Sequence, residues 1–262
     1  RFAGAGDSHT VNRVVYQSFL TAAGLSVVLG LAGSLAAPWL LTLVNAAPEV
    51  RAEALPFLRT MFAGIVGLIM FFMLSGAFRA AGDPRTPLRL GLTMTGLTIA
   101  LNVILIPMFG TVGAAFGTVI SSTTVGAYGV WCLTRPESVI HFERGMDRAP
   151  DFTVIRSLFR FGLPAGVQGI AMNVGGVFLL RFIGALENSA AAQAAFTVAY
   201  TELFSLITWT STGLLGASAT IAGQNLGAAK PERAAEGVRV AAHIGLAVAA
   251  GVGTLFVLFP AL

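Results

Sequence analysis

Long apolar runs alternate along this chain with short polar segments that contain glycine. The runs cover approximately positions 14–44, 54–78, 88–109, 111–134, 161–186, 189–220 and 237–262. Each reaches the length of about 20 residues that a transmembrane helix needs to cross roughly 30 Å of hydrocarbon. Over most of their length the runs lack the polar stripe of period 3.6 that marks a helix of a soluble bundle. The pattern therefore predicts seven membrane-spanning helices and an all-α integral membrane protein.

The polar segments carry signals for helix starts. Asp7 in "GAGDSHT" is a suitable N-cap for the first helix, and Thr86 in "AAGDPRTPLRL" can cap the third span. Pro87 then falls in the first turn of that span, where its missing N–H costs little. Pro231 in "AAKPERAA" occupies the same place in the last span. The chain is thus predicted to change direction at short, well-defined turns.

Glycine is abundant, with 31 residues, and much of it lies inside the apolar runs, as at Gly113 and Gly117 in "GTVGAAFG". In a membrane such glycines allow helix backbones to approach closely. The pattern G-x-x-x-x-G-K-[ST] of a phosphate-binding loop is absent from the sequence. We therefore interpret the glycines as a packing signal, and expect that ATP-driven transport would need a separate subunit.

The longest polar segment, residues 135–160, has mixed charge and ends in "DFTVIRSLFRFGLP". Phe152, Ile155 and Phe159 share one face if this end is helical. One interpretation is a helix on the cytoplasmic membrane surface, ended by a break at Gly162–Pro164. The alternative is a plain solvated linker.

A polar hinge occurs twice. Gly4-Ala5-Gly6 aligns with Gly227-Ala228-Ala229 at an offset of 223 residues, and each hinge precedes a helix of the same direction. Same-direction repeats imply two halves related by an axis along the membrane normal. We expect a twelve-helix protein of two parallel six-helix repeats, of which this chain holds spans three to nine. Residues 1–134 then belong to the first bundle, 135–160 to a cytoplasmic linker and 161–262 to the second bundle.

Charge sets the expected orientation. Charged residues make up only 11% of the chain, and the net charge is +4. If the first loop is cytoplasmic, only Arg51, Arg59 and Arg181 of the 16 basic residues lie outside. The other 13 lie inside: Arg1, Arg13, Arg79, Arg85, Arg89, Arg135, Arg144, Arg148, Arg156, Arg160, Lys230, Arg233 and Arg239. The positive-inside rule accounts for this bias, so the basic character indicates membrane orientation and not nucleic-acid binding.

Catalytic and metal-binding patterns are missing. His9, His141 and His243 are dispersed without metal-ligand spacing. Cys132 is the single cysteine, which excludes an intrachain disulfide and suggests apolar filling of the fourth run. No nucleophile-and-base constellation or aspartate cluster lies in the runs. The sequence therefore predicts a protein that is not an enzyme and holds no metal or cofactor.

Few polar side chains lie within the runs, and these are the functional candidates. Glu202 is the only acidic residue deep in any run, about 20 Å along a helix that begins near Ser189. A carboxylate at that depth is costly unless it is protonated, paired or wet, so it is a candidate for proton or cation coupling. Its alternative role is a neutral hydrogen bond between helices.

Three amides are candidates for a substrate cavity: Asn102, Gln168 and Asn173. For Asn102 the favoured interpretation is a hydrogen bond to a neighbouring helix, whereas for Gln168 and Asn173 this role and cavity lining are equally open. Arg181 lies at the expected outer end of its run, where it can extend to the headgroups.

Three stretches resemble the multidrug and toxic compound extrusion family of transporters. They are "GAFRAAGDPRTPLRLGL" at 76–92, "NVILIPMFGTVGAAFGTVIS" at 102–121, and "FGLPAGVQ" at 161–168 with "GQNLGAAKPERA" at 223–234. In the first, Pro84 stands where the family usually has Thr. The motif residues that the resemblance assigns to structural loops are Gly82, Asp83, Pro87, Gly223, Gln224, Gly227 and Pro231.

The resemblance implies a secondary-active antiporter with twelve helices in two bundles. Such proteins export amphipathic, often cationic, small molecules in exchange for protons or sodium. It also implies a monomer in the bilayer of the plasma membrane (the inner membrane of a bacterium). Loop 135–160 would be cytoplasmic.

Two acidic positions of the family are not acidic here. Ile106 stands four residues after Asn102, and Met172 and Asn173 stand where one branch has a glutamate after the proline that is Pro164 here. Relatives carry a glutamate in stretches like "AYTELFSL", usually two residues after an arginine. Tyr200 takes the place of that arginine here, which leaves Glu202 as the coupling candidate without its usual partner.

Two other functions remain open. A related lipid-linked oligosaccharide flippase would share the two-bundle plan, but would hold cationic side chains in its cavity to bind pyrophosphate. The runs are expected to hold almost no buried Lys or Arg, which favours a cationic or neutral substrate. A passive channel would equilibrate its solute, whereas an antiporter accumulates it against a gradient.

Overall fold

The computed structural model describes residues 1–43, 48–142, 145, 147–184, 192, 195–196, 198, 200 and 204–258. Its helices are α1 (Ser8–Leu43), α2 (Pro48–Ala63), α3 (Ile65–Ala80), α4 (Arg85–Phe109), α5 (Thr111–Cys132), α6 (Phe152–Gly184), α7 (Phe204–Gly227) and α8 (Pro231–Leu258). The all-α membrane fold predicted from the apolar runs is confirmed. Four of these helices are long and apolar enough to cross a membrane: α1, α4, α6 and α8.

The run at 54–78 differs from a single straight span. It forms α2 and α3, which are bent by 48° at the break between them and together make a fifth candidate span. Gly64 lies at the break, where an added Cβ would fall 2.2 Å from a methyl group of Val119 in α5. A residue with a Cβ therefore does not fit at this bend, because the Val119 side chain fills the space that the Cβ would take.

The described residues divide into two compact units. The first unit consists of Phe2 and Asp7–Ile155, and the second of Arg1, Ala3–Gly6 and Arg156–Leu262. In the first unit α5 packs against α2, α3 and α4, and α1 packs against α2 and α3. In the second unit α7 packs against α8.

Small residues carry the packing of α5, as the glycine pattern predicts. Its buried residues include Gly113, Gly117, Ser121 and Gly126. A Cβ added at Gly113 would lie 2.2 Å from the Leu105 carbonyl oxygen in α4, so the two backbones are in direct contact there. With 22 residues, α5 is long enough to cross a membrane.

An apolar cluster closes one end of the first unit. It consists of Val15 from α1, Leu74 and Phe78 from α3, and Leu133 and Ile140 from the end of α5 and the chain beyond it. Cys132 packs partly buried against this cluster, which agrees with its expected role as an apolar filler.

The segment after α5 is docked on α1, which neither interpretation of residues 135–160 anticipated. Gln17 is 1% exposed; its Nε2 donates to the Ala149 carbonyl at 2.8 Å and its Oε1 accepts from the Asp151 N–H at 3.0 Å. Asn12 Oδ1 accepts from the His141 N–H at 3.1 Å. Two side chains of one helix thus hold the linker backbone at both ends.

The helical part of the linker begins only at Phe152. Asp151 accepts from the N–H groups of Thr153 and Val154, at 2.9 and 3.3 Å, and pairs with Arg13 at 2.7 Å. The pKa of Asp151 lies below its usual value, chiefly because of the hydrogen bond from the Val154 N–H. The hydrogen bond from Thr153 and the charge of Arg13 act in the same direction, and desolvation opposes them. The ionised carboxylate therefore stabilises the docked linker above its unfolded-state pKa, and this stabilisation is lost as the pH falls through the lowered folded-state value.

The expected break at Gly162–Pro164 is wrong, because α6 runs without interruption from Phe152 to Gly184 with Pro164 inside it. Proline is tolerated in membrane-spanning helices, where local adjustment satisfies the backbone group it frees.

Replacing Gln17 with Ala is expected to lower the free energy of unfolding by about 1–3 kcal/mol, because it strands the Ala149 carbonyl and the Asp151 N–H. Thr21→Ala is a matched control one turn away, since the Thr21 hydroxyl donates only to the Gln17 carbonyl of its own helix. Denaturant unfolding of the detergent-solubilised protein measures both. Equal stability of the two variants would mean that Gln17 does not anchor the linker.

Candidate functional site

Two hinges share one backbone geometry. The first hinge is Arg1–Asp7 and the second is Gln224–Lys230. Gly6 and Ala229 have positive φ angles of 74° and 56°. The next N–H in each case reaches back five residues, from Asp7 to the Phe2 carbonyl at 3.1 Å and from Lys230 to the Asn225 carbonyl at 2.8 Å. All three pairs of positions are related by the offset of 223 residues that the sequence repeat predicts.

The hinges also contact each other within the second unit. A Cβ added at Gly4 would lie 1.9 Å from the Gln224 carbonyl oxygen, and one added at Gly227 would lie 1.9 Å from the Arg1 carbonyl oxygen. Gly4 corresponds to Gly227, and Arg1 to Gln224, at the same offset. Each hinge therefore offers the other the same surface, as in an isologous interface. Backbone contact this close requires glycine at both positions.

The hinges lead into helices as the sequence predicts. Asp7 Oδ1 accepts from the Thr10 N–H at 3.0 Å and so caps α1. Two hydrogen bonds with Thr10 lower the pKa of Asp7. The one with the Thr10 side chain has the larger effect, and the one with its backbone N–H the smaller. Pro231 is the first residue of α8. Gly223 lies inside α7, where an added Cβ would have only an ordinary contact at 3.7 Å with the Arg1 nitrogen.

The turn between α3 and α4 repeats the hinge geometry. Gly82 has a φ of 97°, and the Asp83 N–H donates to the Phe78 carbonyl at 2.9 Å. The prediction that Thr86 caps α4 is wrong: Asp83 Oδ1 accepts from the N–H groups of Arg85 and Thr86, at 3.0 and 3.1 Å. The turn at Gly82, with its positive φ, brings the Asp83 carboxylate to the start of α4. The capping preference of Thr86 alone does not reveal this turn. Pro87 lies buried in the first turn of α4, as predicted.

Partial burial acts to raise the pKa of Asp83, but other groups outweigh it. The hydroxyl and N–H of Thr86, the N–H of Arg85 and the charge of Arg89 together hold the pKa of Asp83 below its usual value. The turn is therefore fixed by an ionised carboxylate.

Asn102 lies where α4 crosses α5. A Cβ added at Gly117 would lie 2.0 Å from Asn102 Oδ1, which is buried and has no hydrogen-bond partner among the described residues. Among the described residues this oxygen therefore accepts no hydrogen bond from a neighbouring helix. A buried carbonyl oxygen without a donor is costly, so it is a ready acceptor for a polar ligand group.

The other amide candidates belong to a different unit from Asn102. Gln168 and Asn173 lie on exposed parts of α6 in the second unit. Asn173 Nδ2 donates to the Gly169 carbonyl of its own helix at 2.8 Å. Arg181 lies in the last turn of α6, consistent with a place near the headgroups. Glu202 lies outside the described residues.

A cavity that the sequence analysis missed lies between α1, α3 and α5. It has a volume of about 370 Å³, and its lining is almost entirely apolar. The lining residues are Phe19, Ala23, Val66, Gly67, Met70, Thr123, Gly126, Ala127 and Val130. Gly67 and Gly126 allow α3 and α5 to approach closely beside the cavity, since a Cβ added at Gly67 would lie 2.5 Å from the Thr123 backbone nitrogen. The cavity can hold the apolar part of a small molecule, with the Thr123 side chain as a polar contact.

In the described part of the chain no group of three or more His, Cys, Asp or Glu side chains is arranged to hold a metal ion.

Comparison with known proteins gives matches over both units. The family model MatE matches residues 1–104 and 164–262. A probable multidrug resistance protein of Bacillus subtilis, YpnP, is 27% identical over 216 residues, which are 80% of this chain and 46% of that protein. The multidrug export protein MepA of Staphylococcus aureus is 29% identical over 153 residues, or 58% of this chain and 34% of that protein.

Solved structures share the fold. A transporter of the MOP superfamily from Pyrococcus furiosus matches with a TM-score of 0.85 and 21% identity, over 98% of this chain and 57% of that one. An outward-facing multidrug resistance transporter of the MATE family matches with a TM-score of 0.84 and 22% identity, over 98% and 57%. The chain thus spans about half the length of the curated relatives and solved structures that it matches.

Proposed function

Because the chain belongs to the multidrug and toxic compound extrusion family, we propose that the protein containing it is a secondary-active antiporter. It exports amphipathic, cationic small molecules in exchange for protons or sodium. The observation that carries this proposal is the family match over residues 1–104 and 164–262, which includes segments of both units. The multidrug names of YpnP and MepA support the substrate class.

The chemistry of the first unit suits an amphipathic cation. The cavity beside Thr123 supplies an apolar wall with Phe19 and Met70 in it, and aromatic and methionine side chains accommodate organic cations well. Asn102 supplies a buried oxygen without a donor. No Lys or Arg belongs to the buried residues in the described ranges, and this favours a cationic substrate over the pyrophosphate of a lipid-linked oligosaccharide. Asn102 belongs to the proposed substrate path on this basis, and Gln168 and Asn173 on the basis of their amides in an apolar run.

Coupling is assigned to Glu202. It is the acidic residue that the sequence places deep in an apolar run, and an ionisable side chain there binds and releases a proton or sodium ion as access alternates. Alternation is proposed to occur by rocking of two six-helix bundles. The protein works as a monomer in the plasma membrane without a cofactor, with loop 135–160 on the cytoplasmic side.

Transport by the complete protein in proteoliposomes tests this function. An imposed proton or sodium gradient is expected to drive a fluorescent organic cation into the vesicles above its equilibrium level, and an ionophore that collapses the gradient is expected to release it. Uptake that stops at the equilibrium level, unaffected by the gradient, would indicate a channel. Uptake of a lipid-linked oligosaccharide instead of the cation would indicate a flippase.

The orientation gives a separate prediction. Single cysteines at Arg85 and Lys230, in a Cys132→Ala background, are expected to react with membrane-impermeant thiol reagents only when the cytoplasmic side is accessible. Both positions are exposed, so a failure to react from outside reports sidedness and not burial. Arg51→Cys on α2 is the matched control, and it is expected to react from the outside. Labelling of Arg85→Cys or Lys230→Cys in intact cells would reverse the topology.

A further inference from the structure

A basic cluster surrounds the turn between α3 and α4. Arg79 lies in the last turn of α3, and Arg85 and Arg89 lie in the first two turns of α4; all three are exposed. The carboxylate of this turn, Asp83, is engaged with the N–H groups of Arg85 and Thr86. The charge of Arg89 interacts with Asp83, but three arginines face this single carboxylate, and within the described residues none of the three forms an ion pair. The turn therefore keeps an excess of solvent-facing positive charge.

An interfacial pair stands at the same end of the packed helices. The Arg135 guanidinium lies over the Trp131 ring, 3.6 Å from its centroid. Leu90, beside Arg89, and Leu74 of α3 both pack at Gly129 of α5, where an added Cβ would lie 3.6 and 2.7 Å from their methyl groups. The ends of three helices therefore converge here. Tryptophan with arginine at a helix end is typical of the headgroup level of a membrane.

The exposed face of α4 continues this cluster into the membrane. Arg85, Leu88, Arg89 and Leu92 fall on one side of the helix, at spacings of three and four residues. Leu88, Leu92 and Ile99 are 62%, 66% and 61% exposed, whereas Pro87 and Leu90 on the packed side are buried. Two arginines at the interface are thus followed by an apolar stripe that extends about 20 Å along the helix from Arg85 to Ile99.

We propose that this face binds an anionic phospholipid of the cytoplasmic leaflet, with its phosphodiester at Arg79, Arg85 and Arg89 and its acyl chains along Leu88, Leu92 and Ile99. The charge selects an anionic over a zwitterionic headgroup, and the stripe selects a lipid over a free phosphate. Basic sites next to membrane-spanning helices on the cytoplasmic side recognise anionic headgroups in this way. The proposal rests on the proposed orientation of the chain but not on the transported substrate.

Native mass spectrometry of the delipidated complete protein tests the site, in detergent containing equal amounts of dioleoylphosphatidylglycerol and dioleoylphosphatidylcholine. The wild type is expected to retain phosphatidylglycerol preferentially. The double variant Arg85→Gln/Arg89→Gln is expected to lose about thirtyfold in affinity, from roughly 1 kcal/mol per basic residue. Arg85→Lys/Arg89→Lys keeps the charge and is expected to keep binding, since lysine holds phosphate as a point charge.

Arg51→Gln/Arg59→Gln on α2 is the charge-matched control, and it is expected to bind phosphatidylglycerol like the wild type. Equal retention of both lipids by the wild type, or unchanged retention by Arg85→Gln/Arg89→Gln, would overturn the proposal. Displacement of the lipid by millimolar glycerol phosphate would overturn it too, because the site would then recognise phosphate alone. No ion gradient or transported substrate is present, so a failure of the export function leaves this result unchanged.

Discussion

Gradient-driven export is expected to fall to the level of protein-free vesicles when Glu202 is replaced with Gln. The glutamine keeps the size and hydrogen-bonding capacity of the side chain but cannot ionise, so it cannot carry a proton or pair with sodium. A carboxyl in the middle of a span is costly to retain and is a functional candidate by default. Since Ile106 and Met172 stand at two positions where relatives carry acids, no second carboxylate at those positions compensates.

Two measurements separate coupling from folding in this variant. Glu232→Gln is the matched control, because Glu232 lies in the first turn of α8, just after the second hinge and before the apolar run at 237–262; it is expected to transport like the wild type. Binding of the organic cation by detergent-solubilised Glu202→Gln is expected to persist, which shows a folded protein. Full export by a folded Glu202→Gln variant would move coupling to another residue and leave Glu202 as a hydrogen-bonding group.

Replacing Gly227 with Ala is expected to lower the free energy of unfolding by about 1–3 kcal/mol, as overpacking of a close contact does. The new methyl group would meet the backbone oxygen of Arg1, which a side-chain rotation cannot relieve. Gly223→Ala, one turn earlier in α7, meets only an ordinary contact. The control is expected to be neutral or to stabilise by up to about 1 kcal/mol, since glycine inside a helix costs that much relative to alanine.

The symmetry of the hinge contact makes this prediction sharper. Gly4→Ala is expected to destabilise about as much as Gly227→Ala, because it meets the Gln224 carbonyl in the corresponding way. The double variant is expected to cost less than the sum, since the first methyl group already separates the hinges and neighbouring substitutions couple. Thermal unfolding in detergent measures all four variants. Strict additivity, or a neutral Gly4→Ala, would contradict a reciprocal contact between the hinges.

Local signals in the sequence predicted most helix starts and their spans. Asp7, Pro87 and Pro231 act through the few residues beside them, so their positions follow from propensity and capping. The recurrence of the hinge also followed from local composition, and glycine permits the positive φ at Gly6, whereas Ala229 adopts its φ of 56° against the preference of a residue with a Cβ. Apolar length predicted the spans of α1, α4, α6 and α8.

Features that depend on a distant partner were not predictable in this way. At the bend, Val119 of α5 fills the space beside Gly64, whereas "FAGIVG" in the sequence is simply part of an apolar run. The docked linker requires Gln17 and Asn12, which are ordinary polar residues in the first turns of a helix until a backbone from residues 141–151 pairs with them. The break predicted at Pro164 is absent, since proline ends helices in water but is accommodated in a membrane helix.

The candidate site was predicted residue by residue but not as a constellation. Asn102 was identified as a polar side chain in an apolar run, yet its unpaired oxygen follows from the crossing at Gly117. The apolar cavity beside Thr123 is lined by residues of α1, α3 and α5, which are far apart in sequence. Such a space is set by tertiary packing, and a single sequence carries no direct signal for it.

The most direct test of antiport is the ion movement that the substrate itself drives. In proteoliposomes of the complete protein with no imposed ion gradient, an organic cation added outside is expected to enter and to drive protons or sodium outward, detected by a trapped pH-sensitive or sodium-sensitive dye. The flux is expected to be absent in Glu202→Gln. Entry of the cation with no outward movement of either ion would contradict the account, because exchange requires each flux to drive the other.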